Sequence, residues 1–335
     1  MDKVKIGMIS FAHGHAYSYL HALIGQPHVE VVGIADENKA RVEGILGQYG
    51  LSYYGDYREL LAREDLDAVV VCSENVYHAR ITIDAAHAGK HVLCEKPLGI
   101  SMEEMHRMIR ACEDNGVQLM TAFPCRYLPG MRAAKEAVNR GEIGEVIALK
   151  GTNRGSMPGG WFVDRSLSGG GAMLDHTVHV ADLMRWILGD EIEEVYAESG
   201  TLFHDLEVDD TGMLNLKFAS GAIAVLDTSW SRSKSFPTWG DVTLELVGEH
   251  GVIALDGFAQ KYDLYNNKNG KGVWKYWGDD MDRLLIADFV RALRSGESVP
   301  ISGWDGLRAT EAALAAYRSV QERAPVRLSV GSQDS

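Results

Sequence analysis

Two ionisable side chains, Asp175 and His179, stand one helical turn apart in a segment whose other residues are mostly apolar. At about 100° per residue, Asp182 and Trp186 fall on the same stripe of the predicted helix. A buried polar stripe needs partners, so it faces either polar groups or a cavity. Because imidazole titrates near neutral pH, His179 is suited to act as an acid or base, with Asp175 to orient it or share its proton. The stripe therefore predicts a lined pocket, although i, i+4 polar pairs also occur as simple helix stabilisers.

The same helix leaves a metal site as an alternative. Asp175, His176 and His179 are all residue types that ligate zinc. His176, however, lies about 60° from His179 around the helix, and the sequence shows no fourth ligand. We therefore expect no metal here. Three glycines, Gly169–Gly171, come just before the helix and predict a loop whose backbone another group approaches closely.

A lysine at the end of a predicted strand is the third candidate. Lys96 follows the apolar run His91–Glu95 and precedes Pro97. By residue type alone, a lysine at a strand end reaches solvent. In a parallel sheet, however, the carboxyl ends of the strands form the ligand crevice. There Lys96 is able to hydrogen-bond a reacting oxygen and to hold its developing negative charge.

These residues need elements to position them, and the first part of the chain alternates strand-like and helical runs. The predicted strands are Val4–Ser10, Val29–Ala35, Ala68–Cys72, His91–Glu95 and Val117–Ala122. The predicted helices lie near Ala16–Leu23, Lys39–Tyr49, Arg58–Arg63, Tyr77–Ala88 and Met102–Asn115. The strands are β-branched and almost continuously apolar, as in a parallel sheet covered on both faces. We expect a doubly wound α/β domain over residues 1–124.

The turn after the first strand is suited to a dinucleotide. It reads GMISFAHGHA from Gly7 to Ala16, and an acidic residue, Asp36, closes the second strand. Small residues let a pyrophosphate reach the N–H groups at a helix start, and the carboxylate suits a ribose 2′-hydroxyl but repels a 2′-phosphate. Ser10 and Ala12 stand where the usual G-x-G pattern has glycine, so the fingerprint is degraded. The turn favours NAD over NADP, and His13 either donates to phosphate or simply caps and packs.

Residues 125–335 have a different pattern and are expected to form a second, α+β domain. The predicted helices are Pro129–Arg140, the helix that begins at Ala172, Met281–Ser295 and Gly306–Glu322. The predicted strands are Val146–Thr152, Glu194–Thr201, Gly212–Phe218, Ala222–Trp230, Val242–Val247 and Val252–Asp256. Turn residues separate the alternating strands, which favours an antiparallel sheet of hairpins.

Composition excludes several classes of protein. The chain has 335 residues, is 46% apolar, and carries a net charge of −14, which argues against nucleic acid or an anionic membrane as partner. It shows no basic-then-apolar leader and no apolar run near the roughly 18 residues of a membrane span, so we expect a cytoplasmic protein. The four cysteines lack C-x-x-C spacing, and we expect reduced, buried thiols with no disulfide or metal role.

Two motifs resemble one known family. EKPLG at Glu95–Gly99, preceded by AGKHV at Ala88–Val92 and by N-x-x-H at Asn75–His78, resembles the glucose-fructose oxidoreductase/inositol dehydrogenase/MocA family. GGGAMLDHTVHVADLMRW at 169–186 resembles that family's second-domain segment, in which a glycine run precedes D-x-x-x-H. The likeness extends from about Lys3 through FVRALRSGESVPISGWDGLRATEAALAAYRS, so it covers nearly the whole chain.

The resemblance implies an NAD(P)-dependent oxidoreductase that acts on a sugar, cyclitol or related polyol. It implies a Rossmann domain followed by a domain with an open, mostly antiparallel sheet through which homodimers or homotetramers form. Lys96, Asp175 and His179 match the family's catalytic lysine, aspartate and histidine. Two positions depart from the pattern, because Glu74 replaces the usual proline and His176-Thr177 replaces the more frequent x-Gly.

The expected site residues follow from the motifs and the resemblance together. Those on the cofactor side are Ser10, Phe11, Ala12, His13, Asp36, Cys72, Ser73, Asn75, His78, Glu95 and Lys96. Those on the substrate side are Lys96, Arg126, Asn153, Arg154, Trp161, Asp175, His176 and His179. Arg126 either reaches the crevice or forms an interdomain salt bridge, and Trp161 either stacks on a sugar ring or packs in an interface or core.

Two other functions remain open at this point. The chain could be a non-catalytic, NAD-binding sugar sensor, or an NAD-using glycosidase or lyase without net redox change. Retention of Lys96, Asp175 and His179 together argues against the sensor.

Overall fold

A computed structural model describes residues 3–267 and 270–329 of the chain. The strands are β1 Val4–Ile9, β2 Val29–Ala35, β3 Ser52–Tyr54, β4 Ala68–Val71, β5 His91–Cys94, β6 Leu119–Thr121, β7 Val146–Arg154, β8 Ile192–Gly200, β9 Thr211–Phe218, β10 Ile223–Ser229, β11 Thr243–Gly248, β12 Val252–Asp256, β13 Lys261–Asn266, β14 Lys271–Tyr276 and β15 Val326–Arg327. The helices are α1 His15–Ile24, α2 Lys39–Tyr49, α3 Tyr57–Leu61, α4 His78–His87, α5 Met102–Asp114, α6 Pro129–Asn139, α7 Arg165–Ser168, α8 Ala172–Leu188, α9 Met281–Ser295 and α10 Gly303–Glu322. Short 3₁₀ turns cover Asn75–Tyr77, Pro124–Tyr127 and Gly160–Val163.

The chain divides into two units. The first contains the residues up to Pro124 together with Met281–Leu307, and the second contains Cys125–Asp280 together with the residues from Arg308 onward. The sequence pattern had placed 281–307 in the second domain. The difference arises because α9 packs on α1 and touches β1, both of which lie in the first unit.

The first unit is built on a six-stranded parallel sheet with the order β3-β2-β1-β4-β5-β6. Ile9 lies opposite Ala35 on one side of β1 and opposite Val71 on the other, and the pairing of β1 with β2 shifts register between Ile6 and Gly7. Strands β4 and β5 are buried along nearly their whole length, which agrees with their continuous apolar runs. The strand order reverses between β1 and β4, so the loops after these two strands open a crevice at the carboxyl edge of the sheet.

The second unit contains a seven-stranded sheet with the order β12-β11-β7-β10-β9-β8-β15. Its neighbouring strands are antiparallel except for β10, which pairs parallel with β7, with Ile223 opposite Ala148. The prediction of hairpins alone was therefore wrong at this pair. Strands β13 and β14 form a separate two-stranded hairpin, which the sequence pattern did not predict.

Helix α8 covers one face of this sheet. A side chain added at Gly151 would lie 2.5 Å from Val180, and one added at Gly212 would lie 3.1 Å from Met173, so the helix rests directly on the strands. The opposite face presents exposed apolar side chains, among them Ile147, Met213, Ile223, Val225 and Val252. Among the described residues, no helix has both the length and the apolar character that crossing a bilayer requires.

Candidate functional site

A pocket of about 260 Å³ opens at the carboxyl edge of the parallel sheet in the first unit. The loops that follow β1, β2 and β4 line it with Ser10, Asp36 and Ser73. Tyr57 and Tyr77 also line it. This is the point at which the strand order reverses, where doubly wound sheets bind nucleotides.

Ser10 adopts a backbone conformation that favours glycine. Its φ is 67°, in the left-handed region, which costs a non-glycine residue roughly 1 kcal/mol or more. Its hydroxyl oxygen accepts a hydrogen bond from the N–H of Ala12 at 3.1 Å. The degraded fingerprint thus keeps the turn geometry of the usual glycine and offsets part of the strain with a local hydrogen bond.

The carboxylate of Asp36 organises this turn. Its Oδ2 accepts a hydrogen bond from the N–H of Phe11 at 2.7 Å, and its Oδ1 accepts one from the N–H of Asn38 at 2.8 Å. The Arg41 guanidinium lies 3.3 Å from Oδ2. Asp36 is buried yet borders the pocket, so its charge is balanced while it can still accept a bond from a ribose hydroxyl.

Just after β5, Glu95 is the centre of a network with two histidines. Its Oε1 lies 2.9 Å from Nδ1 of His15 and 3.9 Å from Nδ1 of His13. Burial raises the pKa of Glu95, but the charges of the two histidines outweigh it and hold this pKa well below the usual range. Burial likewise lowers the pKa of His15, and the Glu95 charge and hydrogen bond more than reverse this, so the pKa of His15 is raised.

Lys96 follows Glu95 directly and is held by it. The backbone N–H of Lys96 donates to Oε2 of Glu95 at 2.9 Å, and the lysine side chain is buried. The lysine therefore does not project into solvent, contrary to what its residue type alone suggests. It stands at the carboxyl end of β5, as the sequence predicts.

The same network brings together residue types that ligate metals. Atoms of His13, His15 and Glu95 lie within 4.8 Å of one another. However, Nδ1 of His13 lies 3.2 Å from the backbone nitrogen of His15, and Oε2 of Glu95 accepts a hydrogen bond from the N–H of Lys96. Nδ1 of His15 and Oε1 of Glu95 also lie 2.9 Å apart, so the described contacts are those of a hydrogen-bonded network.

The remaining residues expected on the cofactor side lie around the loop after β4. The carbonyl of Cys72 accepts from the N–H of His13 at 3.0 Å, and Ser73 lines the pocket. Asn75 is buried and begins a 3₁₀ turn. Burial lowers the pKa of His78, whose ring nitrogens contact the carbonyls of Pro97 at 2.9 Å and of Ser73 at 3.1 Å. His78 thus joins the loop after β4 to the one after β5.

In the second unit, two side chains from distant parts of the chain contact the glycine run Gly169–Gly171. The carboxylate of Asp209 accepts from the N–H groups of Gly171 at 3.1 Å and Met173 at 2.7 Å, which satisfies the first turn of α8. The Tyr317 hydroxyl accepts from Gly171 at 3.0 Å and donates to Asp209 at 2.7 Å. Burial and the Asp209 charge raise the pKa of Tyr317 well above its usual value. A side chain at Gly171 would overlap the Asp209 carbonyl.

Asp175 lies at the start of α8 between two aromatic partners. Its Oδ2 accepts from the indole N–H of Trp230 at 3.3 Å and lies 3.3 Å from Nε2 of His176. Trp230 is buried in a cluster with Ala172. The extra imidazole expected from the sequence therefore lies beside the candidate catalytic carboxylate.

His179 lies one turn further along α8. Its Nδ1 is 3.9 Å from the thiol sulfur of Cys125, and the imidazole is buried. On the same stripe, Asp182 forms a buried, two-pronged ion pair with Arg126, with N···O distances of 2.7 and 2.5 Å. Arg126 and Asp182 both belong to the second unit, so this ion pair is formed within that unit.

The other candidates for substrate contacts are held in different ways. Asn153 is buried in β7 and donates to the carbonyl of Asp241 at 2.8 Å. The Arg154 guanidinium pairs with the Asp241 carboxylate at 3.1 Å. Trp161 stacks on Phe162 with ring centres 3.9 Å apart, and Phe162 packs against the Trp230 cluster.

Sequence reasoning missed three residues that build these sites. Asp209 and Tyr317 hold the glycine run from 38 and 146 residues away along the chain, and no local pattern marks them. Arg41 lies in α2, where only Val42 is buried, and only its spacing of five residues from Asp36 could have indicated the ion pair. All four cysteines are buried free thiols, and burial raises the pKa of Cys112 to about 12.

Two protein-family models match most of the chain. The model of an oxidoreductase family with an NAD-binding Rossmann fold matches residues 4–123. The model of the GFO/IDH/MocA C-terminal domain matches residues 131–254.

Individual relatives are similar to this chain over most of its length. The chain is 32% identical over 307 residues to the myo-inositol 2-dehydrogenase of Thermotoga maritima, covering 88% of this chain and 90% of that one. It is 39% identical over 269 residues to the 1,5-anhydro-D-fructose reductase of Ensifer adhaerens, covering 78% and 79%. The crystal structure of GenD2 from gentamicin A biosynthesis in complex with NAD is similar at a TM-score of 0.90 and 25% identity, covering 98% and 97%. The predicted fold class and NAD-binding Rossmann domain are confirmed.

Proposed function

The chain belongs to the GFO/IDH/MocA family of NAD-binding oxidoreductases, and from this we propose that it transfers a hydride between NAD and a secondary alcohol of a sugar, cyclitol or related polyol. One observation carries the proposal: the pocket of about 260 Å³ at the carboxyl edge of the parallel sheet, bordered by Asp36 and by the left-handed turn at Ser10. A crevice at this point is where such sheets bind dinucleotides.

The residues present fit NAD. The N–H groups of the Ser10–Ala12 turn and the start of α1 would hold the pyrophosphate, and Asp36 would accept a ribose hydroxyl. His13 and Ser73 would border the same cofactor. Bound NAD would supply the hydride acceptor or donor that no side chain can provide.

The roles of the catalytic residues are part of the proposal. His179 takes the hydroxyl proton during oxidation and returns it during reduction. Asp175 orients the acid–base group and balances its charge, and Lys96 donates a hydrogen bond to the reacting oxygen as negative charge develops there. The buried Glu95 supports Lys96, because its carboxylate fixes the lysine backbone at 2.9 Å.

The substrate class is supported by the relatives' names, a myo-inositol dehydrogenase and an anhydrofructose reductase. Trp161, Arg154, Asn153, Arg126 and His176 are proposed to lie on the substrate side.

We also propose that the first unit binds NAD and that the second binds substrate and forms the homo-oligomer. The exposed apolar face of the seven-stranded sheet, with Ile147 and Met213, supports assembly into a dimer or tetramer.

The experiment is a substrate panel with NAD as acceptor. Purified protein is incubated with NAD and with inositols, aldoses and anhydro-sugars, and the NADH absorbance is followed while products are separated by chromatography. The proposal expects NADH and a ketone or lactone in equal amounts with at least one compound. Product without NADH would instead indicate a lyase or glycosidase, and binding without any product would indicate a sensor.

A further inference from the structure

A row of aromatic rings runs through the second unit from the helix that carries Asp175. We call it the aromatic ladder, and its members in order are His176, Trp239, Phe258, Tyr276, Trp274 and Phe236. Neighbouring ring centres are 5.0 to 6.5 Å apart, and the planes meet at 60 to 87°. Edge-to-face contacts of this kind stabilise each pair.

The backbone beneath the first exposed ring is fixed. Gly240 pairs with Gly155 in an isolated β-bridge, and the N–H of Ser156 donates to the carbonyl of Trp239 at 2.6 Å. The N–H of Asp241 donates to the carbonyl of Arg154 at 2.9 Å. These bonds position Trp239 beside His176, with ring centres 6.2 Å apart.

Two of the rings nevertheless remain open to solvent. Trp239 is 46% exposed and Tyr276 is 48% exposed. A rigidly held indole that is half exposed gains little from folding, whereas it offers a preorganised face to a ligand.

Two cations contact rings of the ladder, and each of them also contacts a carboxylate. The Arg232 guanidinium lies over Phe236 at 4.0 Å and contacts the carboxylate of Asp241. The Lys261 ammonium lies over Trp274 at 3.9 Å and pairs with Asp263 at 3.2 Å. The ladder therefore suits a neutral ligand with an apolar face and a hydroxyl rim rather than a phosphorylated one.

We propose that the aromatic ladder binds the non-reacting ring of an uncharged disaccharide or glycoside, while the ring that reacts lies beside Asp175 and His176. The C–H face of a pyranose ring stacks on Trp239, and its hydroxyls remain in water or bond to the paired charges. This inference rests on the proposed function, because it names the larger substrate of the same site. It predicts that the chain prefers disaccharides to the corresponding single sugars.

The first test uses the NAD-loaded protein and matched sugars. Initial rates are measured with glucose against maltose and cellobiose, and with galactose against lactose. We expect the KM of at least one disaccharide to be about tenfold below that of its single sugar, which is the effect of one stacked ring. Trp239→Ala should raise that KM about tenfold and leave the KM of the single sugar within about twofold, while Trp239→Phe should restore the preference.

Two controls test whether Trp239 acts by stacking on the sugar. Tyr265→Ala, on the same hairpin as Tyr276 and 81% exposed but outside the ladder, should leave both KM values unchanged. Light scattering reports the oligomeric mass, and a loss of assembly in Trp239→Ala would make the ladder a subunit interface and overturn the inference. Equal KM values for single sugars and disaccharides in the wild type would also overturn it.

A binding measurement distinguishes a failure of the aromatic-ladder proposal from a failure of the hydride-transfer proposal. If none of the sugars yields NADH, saturation-transfer NMR with maltose, cellobiose and lactose still reports contact with the aromatic rings. Contact that Trp239→Ala removes supports the ladder even though the hydride-transfer proposal has failed. Absence of contact with all three disaccharides overturns the ladder.

Discussion

Nδ1 of His15, the first residue of α1, lies 2.9 Å from Oε1 of Glu95 at the end of β5. The second oxygen of this carboxylate accepts the backbone N–H of Lys96. One buried charge thus connects the turn proposed to bind pyrophosphate with the lysine proposed to polarise the substrate. Because Glu95 is fully buried, it is stable as an anion only while its partners remain in place.

The first prediction concerns the stability that this pair provides. Replacing His15 by Gln leaves the Glu95 charge less well compensated and should lower the free energy of unfolding by roughly 2 kcal/mol. This loss is smaller than the loss from breaking a fully buried ion pair, because the imidazole of His15 is partly exposed. Urea denaturation of wild type and His15→Gln measures this difference. His250→Gln, at an exposed turn, is the matched control and should unfold like the wild type.

The pH dependence of that difference has a definite sign. The raised pKa of His15 gives stability that is complete below about pH 6.5 and is lost as pH rises through the folded pKa. The lowered pKa of Glu95 gives stability that is present above its unfolded pKa and is lost as pH falls through the folded one. The loss of unfolding free energy in His15→Gln should therefore be largest near pH 5.5 and smaller near pH 9. A loss that does not change with pH would show that packing, not charge, is what His15 contributes.

The second prediction concerns Lys96. In Lys96→Ala the affinity for NAD should stay within about threefold, while kcat should fall roughly 10²- to 10³-fold because the reacting oxygen loses its charged donor. Fluorescence titration with NAD and steady-state rates with the best polyol measure the two effects. Lys217→Ala, an exposed lysine of β9, should change neither. Full activity of Lys96→Ala would remove this residue from the mechanism.

The third prediction concerns His179. Without the acid–base group, His179→Gln should lower kcat roughly 10²- to 10⁴-fold and flatten the pH–rate profile in the range where imidazole titrates. The KM should change much less, because the substitution preserves size and hydrogen-bonding capacity. His250→Gln again provides the control. A profile that keeps its wild-type shape would assign the proton transfer to another group.

Five of the six strands of the first sheet could be predicted because each is a nearly continuous apolar run, and β2 has the predicted bounds. Strand β3 has only three residues, Ser52–Tyr54, and β15 only two, so neither carries a periodic pattern. The parallel pairing of β10 with β7 joins segments about 75 residues apart, which local turn chemistry does not encode. Helix α10 begins at Gly303 because Ser302 and Asp305 form a capping box, a local signal that places its start three residues before the predicted one.

For the site, the sequence shows which residue types are present, but it does not show which distant residues they contact. The stripe of α8 was expected to face polar groups or a cavity, and the Arg126–Asp182 pair shows polar groups at that stripe. The glycine run was expected to admit a close neighbour, and the structure identifies Asp209 and Tyr317. Such partners come from distant segments, so periodicity along one helix cannot identify them.

The fourth prediction follows from the glycine run. In Gly171→Ala the new methyl group would overlap the backbone of Asp209, and relief would displace the start of α8. We expect a loss of roughly 3 kcal/mol or more in the free energy of unfolding. Gly44→Ala, in the exposed part of α2 where an added methyl group meets no atom within 4 Å, should instead stabilise by about 0.5–1 kcal/mol. Equal stability of the two variants would contradict the close approach at Gly171.

The fifth prediction concerns cofactor choice at Asp36. The carboxylate repels a 2′-phosphate, and it also holds the Arg41 guanidinium at 3.3 Å. In Asp36→Ser the repulsion disappears and Arg41 becomes available to pair with the phosphate, a charged hydrogen bond that changes affinity by tenfold or more. The kcat/KM for NADP should therefore rise about tenfold or more relative to that for NAD. The double variant Asp36→Ser/Arg41→Ala should lose the part of the gain with NADP that Arg41 provides, yet keep the reduced activity with NAD. If NADP use rises equally in both variants, Arg41 has no part in it, and the preference comes from the repulsion by Asp36 alone.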